Sequence, residues 1–171
     1  YGNVLGSRGS VVPFFQDLIN KNEKTLPITD ERMTRFWITL EQGVNFVLSS
    51  MEIMQGGEVF VPRIPSMKIT DLAKAMAPHI PHEYIGIRPG EKLHEVMVPT
   101  DDGRHTLLLN DRYIIEPLFA FWNRESYQEH GATAVPEDFM YASDTNDEWL
   151  NAKELKELME QASMSLTSAA A

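Results

Sequence analysis

"MTRFWITLEQGVNFVLSSMEIM", residues 33–54, carries the strongest apolar periodicity in the chain. Its apolar side chains recur at steps of three and four residues over about six turns: Met33, Phe36, Trp37, Leu40, Val44, Val47, Leu48, Met51 and Met54. One face of an amphipathic helix has this spacing. The stretch therefore predicts a long helix, capped at its start by Thr29 or Asp30 and ended by Gly56-Gly57.

The segments before this stretch predict a short strand, a loop and another helix. Residues 1–10, "YGNVLGSRGS", begin β-like and continue into a Gly/Ser loop. Residues 11–22 place apolar side chains at helical spacing, and Pro13 suits a first helical turn. "KTLPITD", residues 24–30, reads as a short extended piece, which Pro27 restricts to a sheet edge or a loop.

Short strands and helices alternate after this stretch. The predicted elements are a strand at 58–62, a helix at 66–78, a strand at 84–88, a short helix at 92–98 and two strands within 104–117. Pro78 ends the first of these helices, and the last two strands flank a turn at Asn110-Asp111.

The end of the chain predicts a loop, a helix and a frayed tail. Residues 122–136 show little period and read as a loop. Residues 143–161, "SDTNDEWLNAKELKELMEQ", predict an amphipathic helix capped by Asp147 or Asn151, followed by a frayed tail at 163–171. Helices that alternate with short strands predict an α/β fold. The strands are too few for a complete doubly wound domain, and the sequence contains no G-x-G-x-x-G fingerprint.

Composition excludes several classes of function. A chain of 171 residues suffices for one domain with a core, and its net charge of −10 argues against nucleic acid and anionic membranes as partners. The absence of cysteine excludes disulfides and thiolate metal sites and is compatible with the cytoplasm. The five histidines show no metal-ligand spacing, so we expect no metal site. No run reaches the ~18 apolar residues of a membrane span.

Three places suit an anion, and each also has a plain structural interpretation. The loop "GNVLGSRGS" precedes a helix start and carries Arg8, yet Gly in a strand-to-helix turn needs no ligand. "ITDERMTRFW", residues 28–37, places two arginines near a predicted helix start, which indicates an anion or salt bridges to neighbouring acids. "RPGE" sets Arg88 and Glu91 on either side of a turn, where they can bind a diphosphate and a ribose or simply face solvent.

Four blocks in order resemble one family: "YGNVLGSRGSVVPFF", "LPITDERMTRFWITLEQGVNFVL", "EVFVPRIPSMKITDLAKAM" and "IGIRPGEKLHEVM". They look like the C-terminal half of the inverting UDP-N-acetylglucosamine 4,6-dehydratases, which are extended short-chain dehydrogenase/reductases. The resemblance implies an α/β fold that joins the end of a Rossmann domain, residues 1–12, to a substrate-binding α/β region, residues 13–140. An acidic helix and tail, residues 141–171, would follow.

The resemblance also implies roles for ten residues. The NADP cofactor would contact Val4, Leu5, Gly6, Ser7 and Arg8. The UDP-N-acetylglucosamine substrate would contact Asn3, Val11, Thr29, Arg88 and Glu91.

The family starts pseudaminic acid synthesis for flagellin glycosylation, and its proton-transfer residues belong to the nucleotide-binding half. We therefore expect no catalytic residue in this chain. Because the chain begins with Tyr1, we expect a fragment that is inactive alone, from an enzyme that forms homo-oligomers. Apolar residues of the long helix would then lack their usual cover and favour association. A retaining dehydratase, a nucleotide-sugar epimerase and a non-catalytic sugar-nucleotide binding module remain alternatives.

Overall fold

The computed structural model describes residues 2–119 and 125–168, with side chains as far as residue 162. Within these residues the helices are α1 (Val11–Asn20), α2 (Leu40–Ile53), α3 (Ile69–Met76), α4 (Thr100–Gly103) and α5 (Ala152–Ser168), with a 3₁₀ helix at Tyr127–His130. The strands are β1 (Asn3–Val4), β2 (Leu26–Ile28), β3 (Thr34–Ile38), β4 (Val59–Pro62), β5 (Ser66–Lys68), β6 (His82–Tyr84), β7 (Val96–Val98), β8 (Thr106–Leu109), β9 (Arg112–Ile115), β10 (Thr133–Ala134) and β11 (Tyr141–Ala142).

The chain forms two compact units. The larger unit contains Gly2–Gln42, Ile64–Glu95 and the chain from Ser143 onward, and the smaller unit contains Gly43–Arg63 and Val96–Ala142. Parallel and antiparallel strand pairs occur together with helices, so the predicted α/β class is confirmed. No helix in the described ranges is long and apolar enough to cross a bilayer.

Strand β3 is the centre of the larger unit. It pairs in parallel with β1 and antiparallel with β5, while β2 pairs in parallel with β6 in a separate two-stranded sheet. Helices α1, α3 and α5 contribute side chains to one apolar cluster with these strands. Its fully buried members include Phe15, Leu26, Ile28, Trp37, Leu72 and Leu155.

The smaller unit is built on an antiparallel sheet with the strand order β10-β8-β9-β4. The predicted hairpin is confirmed: β8 and β9 pair around Asn110, which has a φ of 52°, a left-handed conformation that asparagine tolerates. Leu107, Ile114, Tyr127 and Ala132 form the apolar cluster of this unit.

The first part of the predicted long helix is wrong, because residues 34–38 form strand β3. Thr34, Phe36, Trp37 and Ile38 are all buried, so side chains on both faces of this strand face protein. A strand buried on both faces reads as a continuous apolar run, which periodicity alone does not distinguish from a helix. β-branched and aromatic residues, which favour strands, dominate these five positions.

Helix α2 begins one residue after Thr39, so the predicted caps Thr29 and Asp30 are also wrong. The backbone N–H of Gln42 donates to Thr39 Oγ1 at 3.1 Å, and the backbone N–H of Thr39 donates to Gln42 Oε1 at 2.9 Å. These reciprocal bonds form a capping box, and its T-x-x-Q signature is readable at positions 39–42.

Replacing Thr39 by alanine should lower the free energy of unfolding by about 1 kcal/mol, the usual cost of a lost N-cap. Urea unfolding followed by circular dichroism measures this change. Thr100→Ala is the matched control, because Thr100 is exposed at the start of α4 and makes no side-chain hydrogen bond within the described residues. Equal losses in the two variants would contradict the capping role.

Four other predicted elements differ from the structure. The predicted strand at 84–88 ends at Tyr84, because the chain turns at Gly86, which has a φ of 83°. The predicted short helix at 92–98 is not helical at 92–95 and forms strand β7 at 96–98. Residues 66–68 form β5 before α3 begins, and the 122–136 loop contains the 3₁₀ helix and β10, although 122–124 lie outside the described residues. The predicted strand at 58–62 and the helix at 11–20 are confirmed.

Asn151, one of the two predicted caps, caps α5 by accepting from the backbone N–H groups of Lys153 and Glu154. The helix begins at Ala152, later than the predicted start near residue 143, so the other cap, Asp147, is wrong. The helix extends to Ser168, so the frayed tail is wrong for 163–168, while 169–171 lie outside the described residues. Exposed apolar side chains occur along α2 at Leu40, Val44, Val47, Leu48 and Met51, and just after the helix at Met54.

Candidate functional site

A cavity of about 660 Å³ lies within the larger unit. Its lining brings together the five residues predicted to contact substrate, Asn3, Val11, Thr29, Arg88 and Glu91, and adds the polar side chain of Arg35. Its apolar lining includes Phe14, Phe15, Met33, Ile69 and Ile85. Such a mixture of an apolar wall and a few convergent polar groups is typical of small-molecule sites.

The turn Arg88–Pro89–Gly90–Glu91 places two opposite charges at the cavity. The backbone N–H of Glu91 donates to the carbonyl of Arg88 at 3.0 Å. Proline at the second position and a φ of 82° at Gly90 are the features of a type II turn. The turn therefore fixes the spacing between the guanidinium-bearing and carboxylate-bearing residues.

The Glu91 carboxylate is held by two donors. Thr29 Oγ1 lies 3.3 Å from Oε1, and the backbone N–H of Arg88 donates to Oε2 at 3.3 Å. A carboxylate has about four acceptor positions, so lone pairs remain for a ligand. A fixed acceptor of this kind suits a pair of ligand hydroxyls.

Arg88 supplies a free cation. Its side chain is exposed and makes no ion pair or hydrogen bond with any residue in the described part of the chain. Arg35, the other cavity arginine, is already engaged: it donates to the carbonyls of Thr34, Leu93 and Lys92. Arg88 is therefore the residue best able to bind a diphosphate.

The two arginines in "ITDERMTRFW", whose position indicated either an anion or salt bridges, both have protein partners. Arg32 donates from Nε and Nη2 to the two carboxylate oxygens of Asp30, each at 2.9 Å. These bonds lower the pKa of Asp30 to about 2. A salt bridge to a neighbouring acid therefore accounts for Arg32, whereas backbone carbonyls hold Arg35.

Asn3 and Val11 reach the cavity from β1 and from the first residue of α1. Asn3 Nδ2 donates to the carbonyl of Phe36 at 3.2 Å and to both carboxylate oxygens of Glu95, each at 3.1 Å. Glu95 is a residue that sequence reasoning missed. Nothing local in "KLHEV" indicates a contact with a residue 92 positions earlier.

Of the five predicted cofactor residues, Val4 ends β1 and the other four, residues 5–8, lie on the loop before α1; none of them lines this cavity. Gly6, Ser7 and Arg8 are exposed, with a φ of 74° at Gly6, whereas the Leu5 side chain is buried in the core cluster. The Arg8 side chain makes no hydrogen bond or ion pair with the described residues. The role of the five residues in binding NADP stays a prediction.

A second cavity, of about 630 Å³, contains His94. His94 Nδ1 lies 2.8 Å from Thr34 Oγ1, whereas Nε2 lies 3.8 Å from the Asp144 carboxylate, beyond hydrogen-bond distance. Thr34 is buried and also bonds to Ser143 Oγ. This arrangement ties elements of the unit together and does not form a nucleophilic triad. No cluster of three or more metal-ligating side chains occurs in the part of the chain that the structure describes.

A sequence profile described as "Polysaccharide biosynthesis protein" matches residues 1–117. The chain belongs to the polysaccharide biosynthesis protein family. The resemblance seen in the four sequence blocks is thereby confirmed at the level of the family.

Two relatives of this chain carry the names of enzymes that act on UDP-sugars. The chain is 54% identical over 164 residues to "UDP-N-acetylglucosamine 4,6-dehydratase (inverting)" of Campylobacter jejuni, covering 93% of this chain and 49% of the relative. It is 38% identical to a "UDP-glucose 4-epimerase" of Rickettsia canadensis, covering 93% of this chain and 47% of that relative.

A solved structure shares the fold. The X-ray structure of Pen from Bacillus thuringiensis matches with a TM-score of 0.78 and 32% identity, covering 95% of this chain and 49% of that one. The chain thus spans about half the length of the relatives it matches.

Proposed function

We propose that this polysaccharide biosynthesis protein is the sugar-nucleotide-binding half of an inverting UDP-N-acetylglucosamine 4,6-dehydratase. The observation that carries the proposal is the cavity in which Asn3, Val11, Thr29, Arg88 and Glu91 meet. Identity of 54% to a relative of that name supports the choice of substrate.

Different cavity residues bind chemically different parts of the ligand. The unpaired Arg88 guanidinium binds the diphosphate, because planar paired donors match phosphate oxygens. The Glu91 carboxylate accepts from the ribose hydroxyls, and the Thr29 hydroxyl keeps that carboxylate in place. The apolar wall, which includes Phe14 and Ile85, contacts the non-polar faces of the base and sugar.

NADP is the proposed cofactor, with Val4–Arg8 as its contacts in this chain. When bound, it would supply a hydride acceptor for the sugar and return the hydride later in the reaction. This chain binds and orients the substrate and supplies no catalytic residue. The division into residues 1–12, 13–140 and 141–171 belongs to the same proposal.

The wider setting follows from the same proposal. The product would enter pseudaminic acid synthesis and flagellin glycosylation in the cytoplasm. We also propose that the complete enzyme is a homo-oligomer, and the exposed apolar face of α2 supports association. Sedimentation analysis of the complete enzyme tests whether it forms a homo-oligomer, and a monomer at all concentrations would contradict the proposal.

A nucleotide-sugar epimerase is the second candidate, supported by the 38% identity to a UDP-glucose 4-epimerase. Both candidates bind a UDP-sugar, so binding does not separate them. NMR of the product made by the complete enzyme does: a 6-deoxy-4-keto sugar inverted at C5 indicates the dehydratase, and a C4 epimer indicates the alternative.

Titration calorimetry of the 171-residue chain tests the binding half of the proposal. We expect UDP and UDP-N-acetylglucosamine to bind and free N-acetylglucosamine to give no heat, because Arg88 and Glu91 contact the nucleotide. We also expect no turnover of UDP-N-acetylglucosamine by this chain alone. Failure of UDP to bind would contradict the assigned site, and measurable turnover would contradict the assignment of the catalytic residues elsewhere.

A further inference from the structure

We propose that Glu95 is a positioning residue, which holds the Asn3 carboxamide so that Oδ1 is offered to the ligand as an acceptor. The site would then select a hydrogen-bond donor, a hydroxyl or an amide N–H, at this point of the ligand. The selection rests on the proposed function, whereas the orientation of the amide does not.

The Asn3 amide nitrogen has no donor left for a ligand. Its two hydrogens are taken by the Phe36 carbonyl, at 3.2 Å, and by the Glu95 carboxylate, at 3.1 Å from each oxygen. Oδ1, in contrast, accepts no hydrogen bond from any described residue. Asn3 lines the cavity, so the unused oxygen is the group it can offer there.

The alternative amide orientation is excluded by its electrostatics. Oxygen and nitrogen of an asparagine are assigned from their partners. Turning this amide over would place Oδ1 against two carboxylate oxygens and a backbone carbonyl, all of them acceptors. The three contacts that Nδ2 makes as a donor would be lost, and Oδ1 would face three oxygen atoms that repel it.

Glu95 is itself rigidly held. The backbone N–H of Phe36 donates to Oε2 at 3.0 Å, and Arg35 Nε lies 3.9 Å from Oε1. The Glu95 backbone N–H donates to Ser143 Oγ at 2.9 Å, and the Ser143 N–H donates to the Glu95 carbonyl at 2.8 Å. Glu95 does not line the cavity, so it acts on the ligand through Asn3.

The polar groups of the cavity therefore differ in hydrogen-bond role, since some only donate and others only accept. Arg88 offers only donors and suits phosphate oxygens, whereas the Asn3 oxygen and the Glu91 carboxylate offer only acceptors. An asparagine free to turn would accept either kind of ligand group. Fixing its amide makes the contact discriminate between them.

Glu95→Gln is the test, first in the free 171-residue chain. A neutral carboxamide at position 95 can turn and no longer dictates the Asn3 orientation. We expect the Asn3 side-chain NH₂ signals in ¹⁵N NMR to shift and exchange faster in Glu95→Gln, while Glu23→Gln, an exposed glutamate without a side-chain bond in the described residues, leaves them unchanged. Unchanged Asn3 signals in Glu95→Gln would overturn the proposal without any ligand.

A double-mutant cycle then tests action through Asn3. We expect Glu95→Gln to weaken UDP-N-acetylglucosamine binding about three- to tenfold, the value of one neutral hydrogen bond. In an Asn3→Ala background the same change should have no further effect. Additive losses would overturn the positioning role. Failure of the unaltered chain to bind would instead overturn the proposed function, and the NMR result would still decide the orientation.

Discussion

Replacing Arg88 by alanine is expected to weaken UDP-N-acetylglucosamine binding by about 2 kcal/mol, roughly thirtyfold, in calorimetry. Arg88 is the cavity cation that no described side chain neutralises, so its charge-assisted bonds are available to the diphosphate. The effect should be smaller in high salt, because the guanidinium is exposed and exposed charges are screened.

Two variants make this result specific. Arg88→Lys keeps the charge but loses the planar fork, so we expect it to recover only part of the affinity. Lys92→Ala removes an exposed cation four residues further along the same segment, outside the cavity lining, and should change affinity little. An equal loss in Lys92→Ala and Arg88→Ala would indicate a general charge effect and remove Arg88 from the site.

The sequence predicted residues of the candidate site, but it did not predict which other residues they contact. Arg88 and Glu91 are adjacent to one turn, whose Pro-Gly signature states its geometry in the sequence. The contact between Asn3 and Glu95 joins residues 92 positions apart, and it exists because β1 pairs with β3 and Phe36 in β3 also donates to Glu95. Tertiary pairing of this kind leaves no local trace.

The fold shows the same division between local and non-local signals. The capping box at Thr39–Gln42 and the turn at Asn110 are local, and both are written in the sequence. Strand β3 was misread because its side chains are buried on both faces of the sheet, with Phe36 on one face and Trp37 on the other. Burial on two sides removes the alternation that would otherwise identify a strand.

Trp37→Ala is expected to lower the free energy of unfolding by about 3–5 kcal/mol, the usual cost of deleting a large aromatic side chain from a core. Trp37 lies in β3 with 0% of its surface exposed, within the apolar cluster of the larger unit. Urea unfolding followed by circular dichroism suits this variant, because it does not depend on tryptophan fluorescence. Phe119→Ala, at a side chain 78% exposed, should change the free energy little.

Trp37→Phe separates the bulk of the ring from its N–H group. Trp37 Nε1 is buried and has no hydrogen-bond partner among the described residues, a situation that costs about 1–3 kcal/mol. Phenylalanine keeps most of the apolar contact and removes this unpaired donor, so we expect it to lose less than half as much stability as alanine. Equal losses for Phe and Ala would mean that the indole N–H is paired in solution. A Trp37→Ala loss no larger than that of Phe119→Ala would contradict the placement of β3 at the centre of the core.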